Sequence, residues 1–107
     1  MKTGVELIAQ ERDRQVRDEG YTDAHDDLHS SFELTLAAVS YACVVAAPDE
    51  NCDDDGNPRP CWDWPWARSD FNPAPDPVRN LVKAGALIAA EIDRLQRAAA
   101  NPIVRRK

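Results

Sequence analysis

Seven of the chain's eight prolines fall between Pro48 and Pro77, and all three tryptophans lie in the same 30-residue stretch. Proline has no backbone N–H to donate and its ring clashes with the preceding helical turn. Neither a continuous helix nor a central strand can therefore run through this segment. The fold must be built from the residues on either side. Both flanks carry apolar residues at helical spacing, so the expectation is an all-α domain. It is a small bundle of three main helices, at about 4–19, 28–47 and 77–99, with the loop 48–76 packed on it.

The helix boundaries are written in local signals. Thr3-Gly4-Val5-Glu6 is a capping box, and Gly20 is a left-handed stop. Val5 and Ile8 begin an apolar stripe on this helix, but the same face continues through the polar Arg12, Gln15 and Glu19. Charged faces are usually solvated, which makes a wet end the expectation and a polar pocket wall the alternative. Ser30-Ser31-Phe32-Glu33 is a second capping box, although Asp26 or Asp27 could start that helix one turn earlier. From Leu34 to Ala47 the chain is apolar nearly all round, so this helix is expected to be central. It has more apolar faces than two neighbours can cover, which points to a homo-oligomer. Asp76-Pro77 opens the third helix and Asn101-Pro102 stops it. Its core stripe is expected at Leu81, Val82, Gly85, Ile88, Ala89, Ile92 and Leu95, with Gly85 allowing a tight crossing. Asp93 and Arg97 are spaced to pair on the wet face.

Composition narrows the setting. No run approaches the roughly 18 apolar residues of a membrane span, and the N-terminus lacks a signal-peptide core. The expected location is the cytosol. Three cysteines, Cys43, Cys52 and Cys61, argue against a disulfide framework there. The net charge of −6 argues against non-specific nucleic-acid binding. That charge is unevenly placed: the long loop holds eight acidic residues against Arg59 and Arg68, leaving 11 basic and 11 acidic residues elsewhere. A small anion on the helices is therefore not excluded. Within the loop, residues 49–60 are rich in turn formers and expected to be mobile. Residues 61–71 carry Trp62, Trp64, Trp66 and Phe71, which should fold back on the helices.

Several blocks in combination resemble a family of small proteins encoded by tailed bacteriophages and prophages. They are Glu11-Arg12-Asp13-Arg14-Gln15, Glu19-Gly20-Tyr21-Thr22, His25-Asp26-Asp27-Leu28-His29, Trp64-Pro65-Trp66, Leu81 to Ile88, and Ala90-Glu91-Ile92-Asp93-Arg94-Leu95. The resemblance spans most of the chain except 49–60. Phe32 departs from it, standing where similar proteins tend to have a small residue. The resemblance implies a phage origin and a location in the host cytoplasm; it implies no particular activity.

Two constellations could carry chemistry. If the second helix starts early, His25, His29 and Glu33 share one face. With Asp26 they could hold a divalent Mg, Mn or Zn ion with positions left open. The plainer alternative is helix capping beside exposed histidines. The second set is Arg12, Gln15, Tyr21, Lys83, Glu91 and Arg94 with Trp64 and Trp66, joined by His25 and Asp27. Arg forks suit phosphate oxygens and a Trp face suits a nucleobase. The alternative is a tryptophan lid packed on the core. Asn51 to Gly56 imitates a calcium loop but lacks the closing Glu, since Trp62 stands there.

Three functions follow from these residues and the resemblance. The first is a protein that binds a nucleotide or nucleotide-derived signal, as a phage would to sequester a messenger of host defence. The second is a metal-dependent nucleotide pyrophosphohydrolase of the MazG type using Glu33, Glu91 and the Asp26/Asp27 pair, although that family's paired Glu-x-x-Glu motifs are absent. The third is an inhibitor that binds a host protein through the acidic loop. Both chemical readings expect Arg12, His25, Asp27, Glu33 and Glu91 to share a cleft.

Overall fold

The structure is a computed structural model and describes residues 1–61 and 64–100. It is all-α: helices α1 (Gly4–Glu19), α2 (Asp23–Asp27), α3 (Glu33–Ala46) and α4 (Pro77–Ala100), with one 3-10 turn at Arg68–Asp70. Among the described residues no strand forms, and a single antiparallel bridge joins Cys52 to Pro58. No helix of the described residues is long and apolar enough to cross a membrane.

α1 begins on its capping box. The Glu6 N–H donates to Thr3 Oγ1 at 3.2 Å, and the Thr3 N–H donates to Glu6 Oε1 at 2.8 Å. Gly20 ends it at φ 74°, in the left-handed region that glycine enters without a Cβ penalty. The reversal lets the Tyr21 N–H reach back to the Gln15 carbonyl at 3.0 Å and sends Tyr21 across the bundle.

The helix expected over 28–47 is two helices. Thr22 caps a single turn, α2, through the His25 N–H, and α3 starts only at Glu33. Phe32 makes the break: it adopts φ 65° at the N-cap position and gives no side-chain cap. The expected capping box from Ser30 to Glu33 does not form: Phe32 takes the N-cap position, Glu33 is the first residue of α3, and its Oε1 accepts from the Ser31 N–H at 2.7 Å. A non-glycine residue in this conformation costs about 1–2 kcal/mol. The Arg94 guanidinium stands 6.0 Å from the centre of the Phe32 ring, a cation–π contact that offsets part of that cost.

α4, not α3, is the hub: it packs along α3 and α1 and touches α2. The core lies between α3 and α4, where Leu34, Ala37, Ala38, Tyr41 and Val44 meet Ala84, Leu87 and Ala90, with Phe71 closing it from the loop. The face of α4 that goes inward is its small-residue face. Leu81, Ile88, Ile92 and Leu95, expected in the core, are 43–52% exposed instead. Gly85 does allow a close approach, as a Cβ there would lie 2.6 Å from Ile8 Cδ1 of α1. Arg97 does not pair with Asp93. It bridges to α2, with Asp27 at 2.8 Å and Asp23 at 3.2 Å.

The long loop divides as its composition suggests, but 49–60 is a hydrogen-bonded turn and not loose chain. Asp53 Oδ1 accepts from the N–H groups of Asp55 and Asn57, and Gly56 turns at φ 81°. Trp64 and Trp66 are half-buried against the core and Phe71 is buried. Trp62, Asn101, Pro102 and the basic tail at 105–107 lie outside the described residues.

Candidate functional site

Four segments meet over the C-terminal half of α1 and frame a half-open cavity of about 370 Å³, within the range of small-molecule sites. α1 supplies Glu11, Arg14, Gln15 and Glu19; the α1–α2 turn supplies Tyr21; α3 supplies Tyr41. The loop contributes Trp64, Trp66, Asp70 and Asn72, and α4 contributes Arg79 and Lys83. A side lobe of about 290 Å³ continues past Tyr21 and Trp66 to His25 and His29.

The polar floor is an ion cluster around one buried carboxylate. Glu11, 2% exposed, receives Arg14 through both carboxylate oxygens at 2.8 Å and Arg79 at 2.7 Å. Arg14 also pairs with Glu19. Burial alone would push the Glu11 carboxyl up, but the hydrogen bonds and charges of Arg14 and Arg79 outweigh it and hold the group below its ordinary value. Gln15, 3% exposed, gives its Nε2 to the Glu11 carboxylate at 3.2 Å. An ionised carboxylate only accepts, so the amide nitrogen must face it and the orientation is fixed. Its other atom, Oε1, is buried and has no partner, whereas buried polar atoms are nearly always satisfied.

One wall carries a cation without a carboxylate. Lys83 Nζ donates to the Asn72 carbonyl at 2.7 Å and stands 5.4 Å from the Tyr41 ring centre. Burial, helped by the positive charge of Arg79, lowers its pKa. Tyr41 Oη accepts from the Asn72 N–H, which ties the loop to α3.

The other walls are a continuous aromatic series. Tyr21 stacks on His25 (4.8 Å, 7°), His25 meets His29 edge-on (4.8 Å), and His29 meets Trp66 (5.3 Å). Trp66 meets Trp64 at 5.5 Å, and Trp64 meets Phe71 at 5.0 Å. Trp64 Nε1 donates to the Ala67 carbonyl at 2.8 Å, fixing the indole. Burial pushes the Tyr21 hydroxyl up to about 12, so it is a neutral donor at pH 7.

The structure brings together Gln15, Tyr21, Trp64, Trp66 and Lys83 of the residues singled out in the sequence. It does not bring in the rest of the set. Arg12 turns away and binds Asp26 at 2.7 Å and the Tyr21 carbonyl at 3.1 Å. Asp27 is held by Arg97, and Glu91 is held by Arg94 at 2.5 Å and Thr35 at 2.7 Å. His25 reaches only the side lobe. The five-residue cleft drawn from sequence therefore does not form.

The metal reading needs correction as well. Because Phe32 breaks the helix, His25, His29 and Glu33 do not share a helical face. Asp26 is fully buried against Arg12 and His25, and His29 Nδ1 lies 3.9 Å from Glu33 Oε2. Among the described residues no three His, Cys, Asp or Glu side chains are grouped to hold a cation. The two histidines serve as aromatic rings in the wall.

Sequence reasoning missed Glu11, Arg14, Tyr41, Asp70, Asn72 and Arg79. Glu11 was within reach, since it stands three residues before Arg14 and four before Gln15 and so faces both on a helix. Asp70 and Asn72 sit in irregular chain and gave no periodic signal. The chain matches no protein-family model, no curated protein and no solved structure.

Proposed function

We propose that the protein is phage-encoded and binds a nucleotide or nucleotide-derived ligand in this cavity, in the host cytoplasm, with sequestration of a host defence signal as its role. The observation that carries the reading is the unpartnered Gln15 Oε1. It is a buried acceptor, locked in orientation, on a residue that lines the cavity beside Tyr21 and Trp66. Such an atom asks for a ligand N–H, and leaving it unmet costs about 1–3 kcal/mol. A planar base with an exocyclic amine supplies that donor while its faces meet the aromatic wall. Glu19 and Asp70 add further acceptors. Lys83 and Arg79 are the cations placed to receive phosphate.

The pyrophosphohydrolase reading is not favoured, because Asp26, Asp27, Glu33 and Glu91 are each engaged by a different partner and do not face a common space. Isothermal titration against mononucleotides, cyclic dinucleotides and ADP-ribose derivatives tests the proposal. Binding of at least one class, with adenosine monophosphate-type ligands preferred over their purine-riboside counterparts, which lack the exocyclic amine, is expected. Silence across the whole panel would remove the ligand reading; equal binding of adenine and unsubstituted purine would remove the role given to Gln15.

A further inference from the structure

The apolar stripe on the outside of α4 has a regular period. Leu81, Gly85, Ile88, Ile92, Leu95 and Ala99 follow at alternating spacings of four and three, the a/d pattern of a coiled-coil seam. Leu81 is 49% exposed, Ile88 48%, Ile92 52% and Leu95 43%. At Gly85 the seam has no side chain of its own, but Ile8 of α1 lies against that position and fills the gap with another aliphatic group. The strip runs about 27 Å at 1.5 Å per residue. Its four large side chains leave on the order of 350 Å² of apolar surface open, and a patch of that size on a monomer is commonly functional.

We infer that this seam is the interface with a second copy of the chain, packed helix against helix about a two-fold axis. Charge decides the occupant. No charged residue stands on the seam. Of the flanking positions Val82, Ala84, Ala89, Glu91, Gln96 and Ala98, only Glu91 is charged, and it is buried and engaged by Arg94 and Thr35. A partner with a charged face would leave its charges unmet, and nothing here selects one by sign. The matching surface must be apolar, similar in length and of heptad period. Val78, three residues before Leu81 and 52% exposed, continues the period at the start of α4; among the described residues the remaining exposed large apolar side chains stand on other elements, and α4 of a second copy meets all three conditions. The small flanking residues let two backbones come close, and an isologous contact pairs the seam with itself.

Ile88 and Ile92 project from the side of α4 opposite Arg79 and Lys83, which line the cavity. The dimer therefore leaves both cavities facing outward, and this inference does not rest on the ligand reading.

Analytical ultracentrifugation of the intact chain, from micromolar to submillimolar concentration, tests it. A mass twice 11.9 kDa is expected. Ile88→Glu with Ile92→Glu should give a monomer with unchanged helical circular dichroism, whereas Val39→Glu, on exposed α3 surface, should remain a dimer. Should the double variant not fold, Ile92→Gln alone is expected to raise the dimer dissociation constant at least about tenfold. A wild-type chain that stays monomeric overturns the inference and leaves the seam to a helix of some other protein. A folded double variant that stays dimeric, an Ile92→Gln chain that dimerises as tightly as wild type, or a Val39→Glu monomer would overturn it as well.

Discussion

Arg12→Ala should be among the most damaging single substitutions outside the hydrophobic core. Asp26 is fully buried, and its carboxylate is met by the Arg12 guanidinium at 2.7 Å and by His25 Nδ1 at 3.2 Å. The Arg12 side chain is itself only 14% exposed. Removing it leaves a buried carboxylate without its cation, a defect that costs about 3–5 kcal/mol. The lost bond to the Tyr21 carbonyl adds about 1 kcal/mol. Against a typical stability of about 5–15 kcal/mol, that approaches unfolding. The comparison variant is Arg97→Ala, whose bridge to Asp27 joins side chains 30% and 50% exposed and should contribute about 0–1 kcal/mol. Urea unfolding followed by circular dichroism, at one fixed protein concentration, reads both. With an m-value of about 1–3 kcal/mol/M, the Arg12→Ala midpoint should fall by about 2 M while Arg97→Ala barely moves. A cycle of Arg12→Ala, Asp26→Ala and the double variant should show coupling of at least about 2 kcal/mol. Coupling below about 0.5 kcal/mol, or an Arg12→Ala loss no larger than that of Arg97→Ala, would refute the reasoning.

Other outcomes follow from the same contacts. The folded Glu11 carboxyl is held below its ordinary 4.5, so its stabilisation is present above that value and disappears as pH falls through the folded one; thermal melts across acidic pH should show a shallower acid limb for Glu11→Gln. Trp66→Ala should weaken nucleotide binding by about 1–3 kcal/mol, read by titration, with little effect if the indole only packs on His29. Gly20→Ala forces a Cβ into φ 74° and should cost about 1 kcal/mol while also displacing Tyr21, so stability and ligand affinity should fall together. Gly85→Val should destabilise the fold by about 1–3 kcal/mol through contact with Ile8, read as a lower melting temperature, and Ile8→Ala should restore part of the loss.

Much of the architecture is legible because its signals are local. Thr3, Gly20 and Asp76-Pro77 mark helix ends by backbone chemistry that needs no tertiary context. The break before α3 is hidden for the opposite reason: Phe32 takes a left-handed conformation that its side chain disfavours, with no glycine or asparagine to signal it. The inward face of α4 misleads because periodicity weights large side chains. Ala84, Ala86 and Ala90 allow the closest helix approach, so the core takes the small face and Leu81, Ile88, Ile92 and Leu95 turn outward. In the cavity, Gln15, Tyr21 and Lys83 could be singled out from helix spacing and residue type. Asp70 and Asn72 could not, since their position depends on how the loop closes over Tyr41.

The acidic turn is closed at its base. The Asn51 N–H donates to the Ala47 carbonyl at the end of α3, the Arg59 N–H donates to the Asn51 carbonyl, and Cys52 bridges to Pro58. Chain therefore enters and leaves this excursion at nearly the same point. Its length is decoupled from the rest of the molecule, so residues could be inserted or deleted between Asp53 and Asn57 without shifting Trp64 or Trp66. Sequence drift could vary this acidic projection freely while the cavity behind it stayed fixed, and an engineer could place a reporter or an affinity tag there.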